Sequence, residues 1–193
     1  GNWGSKKVIA SNKYVTKDIK VDNFKKISVT GSPDVTFTQK SGRPEVEVYT
    51  SDNIVDLLDI KVKDNTLYIG FKKDVNVSYK KLEVRVSAET LNGISVAGSG
   101  DIKGSGIKCN DMKVSVAGSG DINADNITCN NLKVSVAGSG DMVLRNVTAT
   151  GTEASVAGSG SATVTGTTQT ATYSVAGSGD LLTEGYEAQR VTA

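Results

Sequence analysis

The sequence predicts an all-β chain wound as a right-handed, single-stranded parallel β-helix. This would be a solenoid with coils of about 20 residues and a more irregular N-terminal part. Three observations predict it. The phrase Ser-Val-Ala-Gly-Ser-Gly begins at Ser95, Ser115, Ser135, Ser155 and Ser174, spaced by 20, 20, 20 and 19 residues. A fixed period in this range marks supersecondary units stacked on one another. Within the unit 112–131, Met112, Val114, Val116, Gly118, Gly120 and Ile122 share one parity, whereas Lys113, Ser115, Ala117, Ser119 and Asp121 share the other. That period of two is a strand with one buried face. Glycine also recurs too often, and no apolar stripe at i, i+3, i+4 survives, which excludes a helix.

Hairpins would need Asn-Gly or Asp-Gly turns between strands of opposed direction. Identical phrases fit better if each lies directly above the last, so that the strands pair in parallel about 4.8 Å apart. Right-handed crossovers dominate such connections. Like positions then become ladders, with Val96, Val116, Val136, Val156 and Val175 inside and Ser and Ala outside. Gly118 and Gly120 are expected to point inward at a tight bend.

In chain order, residues 1–21 read as a flexible leader. Its opening Gly1-Asn2-Trp3 looks like a trimmed start. Residues 22–90 read as irregular β coils with a short helix and a hairpin. Phe24-Lys25-Lys26-Ile27-Ser28-Val29-Thr30-Gly31-Ser32-Pro33-Asp34-Val35 matches the repeat as a divergent copy, with Ile27 for Val114 and Asp34 for Asp121. Val46 and Val48 alternate with Glu45, Glu47 and Tyr49. Ser51-Asp52-Asn53 before Ile54-Val55-Asp56-Leu57-Leu58 signals one or two helical turns. Ile60 to Val62, a turn at Asp64-Asn65 and Leu67 to Phe71 read as a hairpin, and Leu82, Val84 and Val86 mark another strand. This portion is expected to shield the first edge of the stack. Residues 91–193 read as regular repeats whose drifting last units, 161–173 and 180–193, cap the array.

Composition narrows the function. A net charge of +1, split as +4 over residues 1–90 and −3 over 91–193, gives no electrostatic case for nucleic acid or membrane surfaces. No apolar run of membrane-spanning length occurs. Cys109 and Cys129 fall at the same register of neighbouring coils and read as small inward residues; stacked parallel side chains fit disulfide geometry poorly. With no His, metal sites and nucleophile–base pairs lose their usual partners. Asp101, Asp121, Asp141 and Asp180 form an outward column. Two readings stand for it: a calcium-stabilised solenoid, or aspartates that accept backbone N–H bonds after a glycine turn. Gly98-Ser99-Gly100 with Gly104 lacks the spacing and the following helix of a dinucleotide fingerprint. Asn76-Val77-Ser78, Asn126-Ile127-Thr128 and Asn146-Val147-Thr148 are sequons that decide nothing. No catalytic, cofactor-binding or metal residue is assigned, and no cofactor is expected. The outer strip of Ser and Ala beside Lys113 and Lys133 reads as a face for a protein, a glycan or another copy of the chain.

The blocks at 24–39, 46–69 and 82–91, together with the Ser-Val-Ala-Gly-Ser-Gly-Asp-Ile phrases, resemble the family called putative auto-transporter adhesin, head GIN domain, of Bacteroidetes cell-envelope proteins. The resemblance covers nearly the whole chain. It implies a β-helical fold, an exported location in the periplasm, outer membrane or cell surface, and in many members a lipid anchor; Asn2 would then follow a lipidated Cys. The resulting expectation is a non-enzymatic structural or adhesive module of the envelope. The alternative is a polysaccharide-active lyase or hydrolase, which would show a cleft with two carboxylates roughly 5–9 Å apart.

Overall fold

The structure, a computed structural model, describes residues 6–193. The expected trimmed start and lipid-anchor position at Gly1 and Asn2 lie outside the described residues. Among the described residues eighteen strands follow one another. The first nine are β1 (Lys6–Ile9), β2 (Tyr14–Ile19), β3 (Lys26–Gly31), β4 (Asp34–Gln39), β5 (Glu45–Ser51), β6 (Leu58–Lys63), β7 (Thr66–Phe71), β8 (Val75–Ser78) and β9 (Leu82–Ala88). The phrase-bearing region holds β10 (Gly93–Gly98), β11 (Asp101–Lys108), β12 (Asp111–Gly118), β13 (Asp121–Thr128), β14 (Asn131–Gly138), β15 (Asp141–Gly158) and β16 (Ser161–Ala176). β17 (Asp180–Leu182) and β18 (Tyr186–Thr192) complete it.

The all-β prediction stands, but the right-handed parallel β-helix does not. Sixteen strands form one mixed sheet, whose path runs β2-β5-β9-β4-β11-β13-β15-β14-β12-β10-β3-β7-β6. This 13-strand path curls into a nearly closed, barrel-like wall rather than a solenoid. Pairs β2–β5, β5–β9 and β6–β7 are antiparallel. The physical reason lies in two places. Asp64 and Asn65 both hold positive φ (52° and 64°), which makes a two-residue turn that sends β7 back along β6. And β15 is a single strand that pairs β13 with its first half and β14 with its second, joining two walls into one sheet. The 20-residue period therefore sets parallel neighbours inside a mixed sheet. It does not describe the whole architecture.

Within that sheet the phrases do lie in register. Val29 pairs with Val96, Val96 with Val116, Val116 with Val136, Val136 with Val156 and Val156 with Val175. The first five of these valines are 0–1% exposed. The facing wall carries Val35, Ile102, Ile122, Met142 and Ala162 along one row, all buried. Burying each such side chain contributes roughly 1.5–3 kcal/mol, so the core is a narrow stack of aliphatic rungs.

The two glycines of each phrase differ in role. Gly118 is exposed, not inward, and sits at φ +117° where the strand leaves the wall. Gly120 is buried, and a Cβ there would overlap the Gly100 carbonyl oxygen. The polar break at Asp125-Asn126 is a one-residue corner: Gly106, Asn126 and Asn146 adopt φ 71°, 60° and 52° and drop out of the ladders. In the next copy the register shifts between Leu144 and Val147: Thr165 alone stands opposite Arg145 and Asn146, and Gly166, at φ 128°, pairs with Val147. The missing residue of the 19-residue spacing is located here.

Elsewhere, the helix signal at 51–53 yields only a 3-10 turn at Val55–Leu57 with no side-chain cap. Asn53 is used otherwise: its Oδ1 accepts the Ser11 N–H (2.9 Å) and its Nδ2 donates to the Ile9 carbonyl (2.8 Å). Cys109 and Cys129 are free thiols. Burial, aided by the neighbouring Cys109 and Asp111, pushes the Cys129 thiol up to about 11. The last segment adds one more layer to the ladders, with β17 and β18 each pairing only β16. Tyr186 closes inward, its hydroxyl 2.8 Å from Thr152 Oγ1, and Leu181 packs half-buried against the same core.

Candidate functional site

Strand alternation places one residue in two on the outer face, and lateral pairing aligns these residues into rows. One row reads Tyr49, Glu83, Asp34, Asp101, Asp121 on β5, β9, β4, β11 and β13. Asp141, Ser161 and Asp180 continue it on β15, β16 and β17. The aspartate column read from the repeat is thus one row, which the structure extends at its other end to Asp34 and Glu83. The next row brings together Glu47, Arg85, Thr36 and Lys103.

Most of the aspartate row is occupied by the fold itself. Asp101 Oδ1 accepts the Asp121 N–H (3.3 Å), Asp121 Oδ1 accepts the Asp141 N–H (2.9 Å), and Asp141 Oδ1 accepts the Ser161 hydroxyl (2.7 Å). Each of these three carboxylates hooks the following copy, Asp101 and Asp121 by accepting a backbone N–H and Asp141 by accepting a serine hydroxyl. Asp180 is exposed.

The end at Asp34 is different. A cleft of about 310 Å³ opens between Asp34, Thr36, Glu83, Arg85, Asp101 and Lys103. A wider groove of about 710 Å³ adjoins it through Thr36 and Arg85 and continues past Glu45, Glu47, Lys20 and Lys40. Burial raises the Asp34 carboxyl above its ordinary value, and Asp101 and Glu83 raise it further, with Lys103 opposing. Arg85 lies 3.7 Å from Glu47, both well exposed, so this pair is weak and its guanidinium can be drawn to another partner. The cleft offers carboxylate acceptors and cationic donors within one or two strands of each other. That arrangement suits a polar, hydroxyl- or carboxylate-bearing ligand. The nearby Tyr49 ring is engaged already, stacked on Tyr14 at 5.5 Å with the Lys81 ammonium 5.3 Å from its centre.

Sequence reasoning missed the cleft. Glu83 and Arg85 are the outward members of the alternation around Leu82, Val84 and Val86, which is the one signal that marked them. Their junction with Asp34 and Asp101 depends on β4 lying between β9 and β11, a pairing that no local pattern shows.

Comparison with known proteins fixes the family. The family model described as "Putative auto-transporter adhesin, head GIN domain" matches residues 23–193. The chain belongs to this family. No curated protein matches the sequence. Among solved structures, a "putative lipid binding protein" from Parabacteroides distasonis is 25% identical with a TM-score of 0.90, over 96% of this chain and 80% of that one. A "putative adhesin" from Bacteroides fragilis is 25% identical with a TM-score of 0.69, over 96% and 99%. A "putative adhesin" from Parabacteroides distasonis, 20% identical with a TM-score of 0.61 over 91% and 99%, shares the fold. Membership of an adhesin-like family points to an exported or cell-surface protein with binding partners. Among the described residues no helix is long and apolar enough to cross a membrane.

Proposed function

We propose that the chain is a non-enzymatic, exported module of the bacterial envelope that holds protein or glycan partners against its outer face. The observation that carries this reading is the mixed-charge cleft of Asp34, Glu83, Arg85, Asp101 and Lys103, set in rows locked by strand register. A rigid sheet keeps these groups in place before a ligand arrives, which lowers the ordering cost of binding. The wider groove beside them supplies further weak contacts to an extended partner.

The experiment is a glycan array followed by titration calorimetry on the full chain. Arg85→Ala and Lys103→Ala are expected to weaken binding of any hit by about tenfold or more, the scale of one charge-assisted hydrogen bond. Both side chains are exposed, so folding is unaffected. Hits whose affinity ignores both substitutions would place the contact elsewhere. Lipid vesicles serve as a comparison arm because one relative is described as lipid binding, and chelator is added to read any calcium requirement.

A second reading, a polysaccharide-active enzyme, draws on the same cleft. Asp34 has a raised carboxyl beside Glu83 and Asp101, as a general acid would. Reducing ends released from a polysaccharide by the chain but not by Asp34→Asn would establish that reading and remove the first.

A further inference from the structure

The wall that carries the valine phrases has an outer face of its own, apart from the Asp34 cleft. One row of outward side chains crosses it through Lys63, Thr66, Lys26, Gly93, Lys113 and Lys133, on β6, β7, β3, β10, β12 and β14. Glu153 and Thr172 continue the row on β15 and β16. All four lysines are exposed. Strands lie about 4.8 Å apart, so the steps from Lys63 to Lys133 span roughly 24 Å. Lys26 reaches past its own strand: its Cγ and Cδ lie 2.9 and 3.3 Å from where a Gly93 Cβ would stand. Its stem therefore covers β10, the strand between it and Lys113.

Among the described residues none of these four lysines forms an ion pair. The carboxylates bordering the row are Asp59, Asp64, Asp111 and Glu153. Asp59 is paired with Lys61 at 3.0 Å, and Asp111 accepts the Asn131 amide at 2.9 Å. Nor does the repeat require lysine here, since other copies place Gly93, Glu153 and Thr172 at the same position. Lys113 and Lys133 are direct ladder partners, and like charges so placed repel. An anion lying along the row would remove that repulsion. The neighbouring row carries hydroxyls in register, on Tyr68, Ser28, Ser95, Ser115 and Ser135. Tyr68 is 39% exposed and lies between Lys61 and Ser28.

We propose that this row binds a linear anionic glycan, whose acidic groups lie on Lys26, Lys113 and Lys133. Its hydroxyls meet the serine row, and the exposed face of Tyr68 takes a sugar ring. The shape of the charge selects this partner. The cationic strip is one side chain wide, with Asp111 on one side and Asp59 on the other, which suits a thread and opposes a flat anionic bilayer. Single-stranded nucleic acid is held on successive aromatic platforms, and these two rows contain one ring, Tyr68. The inference rests on the reading of the chain as an exported module that holds glycans, but it uses other strands and other residues than the cleft.

The test is titration calorimetry on the full chain with polygalacturonate and with dextran sulfate, at low and at physiological salt, beside dextran as the uncharged control. At least one anionic polymer is expected to bind, more weakly as salt rises, and dextran is not. Lys26→Thr, Lys113→Thr and Lys133→Thr are each expected to weaken binding about two- to fivefold, the scale of an exposed ion pair. The triple variant should lose about tenfold or more. Threonine already stands in this row as Thr66 and Thr172, so folding is spared. Glu153→Lys lengthens the row by one strand and is expected to tighten binding about two- to fivefold. Arg85→Ala and Lys103→Ala should leave it unchanged. Failure of both anionic polymers to bind overturns the proposal, as does equal binding of dextran or indifference to the triple variant. Tighter binding of polyuridylate or of phosphatidylglycerol vesicles than of either glycan overturns it too. Glycan binding lost in Arg85→Ala and Lys103→Ala but kept in the triple variant removes the lysine row and leaves the cleft standing.

Discussion

Glycine to alanine should act in opposite directions at two positions of this sheet, Gly140 and Gly104. An alanine Cβ at Gly140 would overlap the Gly120 carbonyl oxygen and come within 2.8 Å of Val116 Cγ1. The Gly120 backbone is itself fixed by the Gly120 N–H bond to the Gly98 carbonyl, and Gly140 N–H donates to the Gly118 carbonyl at 3.0 Å. The strands must therefore separate. Overpacking costs about 1–3 kcal/mol, and weakening one buried backbone bond adds about 1 kcal/mol. Gly140→Ala should lose about 2–4 kcal/mol. At Gly104 the nearest atoms to a Cβ are Ile107 Cδ1 at 3.5 Å and the Phe37 carbonyl at 3.8 Å, which are ordinary contacts. Its ladder partner one copy on is Ala124, so the site accepts a methyl group. Restricting the unfolded chain should stabilise Gly104→Ala by about 0.4–1 kcal/mol. Equilibrium unfolding in urea, followed by circular dichroism, measures both. Equal signs, or a neutral Gly140→Ala, would refute the claim that the second phrase glycine exists for interstrand clearance.

Two further outcomes follow from the titrating groups. Asp34 keeps its proton to higher pH in the folded chain than in the unfolded one, so its contribution to stability is full below 3.8 and is lost as pH rises through the elevated value. Asp34→Asn should then be more stable than the parent at neutral pH by a few tenths of a kcal/mol, about the scale of exposed charge interactions. That gain should vanish below 3.8 in thermal melts over pH, and a gain that persists in acid would contradict the carboxylate repulsion. Cys129, buried and held up to about 11, should resist alkylation at pH 8 in the native protein and react on unfolding, as mass spectrometry of the labelled chain would show. Rapid native labelling of Cys129 would mean that the corner near it opens.

The parts of the fold that were legible in the sequence were local or repeated. Alternation identified the strands, the phrase identified which residues share a rung, and Asp64-Asn65 announced the turn between β6 and β7. The error came from extending the repeat's logic to the whole chain. Nothing in residues 45–51 or 82–88 states that β5 will lie antiparallel between β2 and β9. These pairings join segments tens of residues apart, and strand patterns carry parity but not partner. The same gap hid the cleft. The repeat matches Asp34 to Asp121, yet Glu83 and Arg85 gain meaning only when β9 takes its place beside β4. The helix signal at 51–53 yields a single 3-10 turn without a side-chain cap, because Asp52 and Asn53 use their side chains to tie down the Ser11 region, with Asp52 Oδ1 accepting the Ser11 hydroxyl.

Five near-identical phrases stacked in register leave little to distinguish one neighbour from another during folding. A strand displaced by one copy would meet the same valines, the same glycine corner and the same serines. What breaks this degeneracy is the small set of differences: Met112 against Leu132 and Thr152, Gly106 against Asn126 and Asn146, and the one-residue deletion before Gly166. The departures from perfect repetition thus act as an address system, and shuffling them would leave the composition intact while removing the means by which each segment finds its own slot.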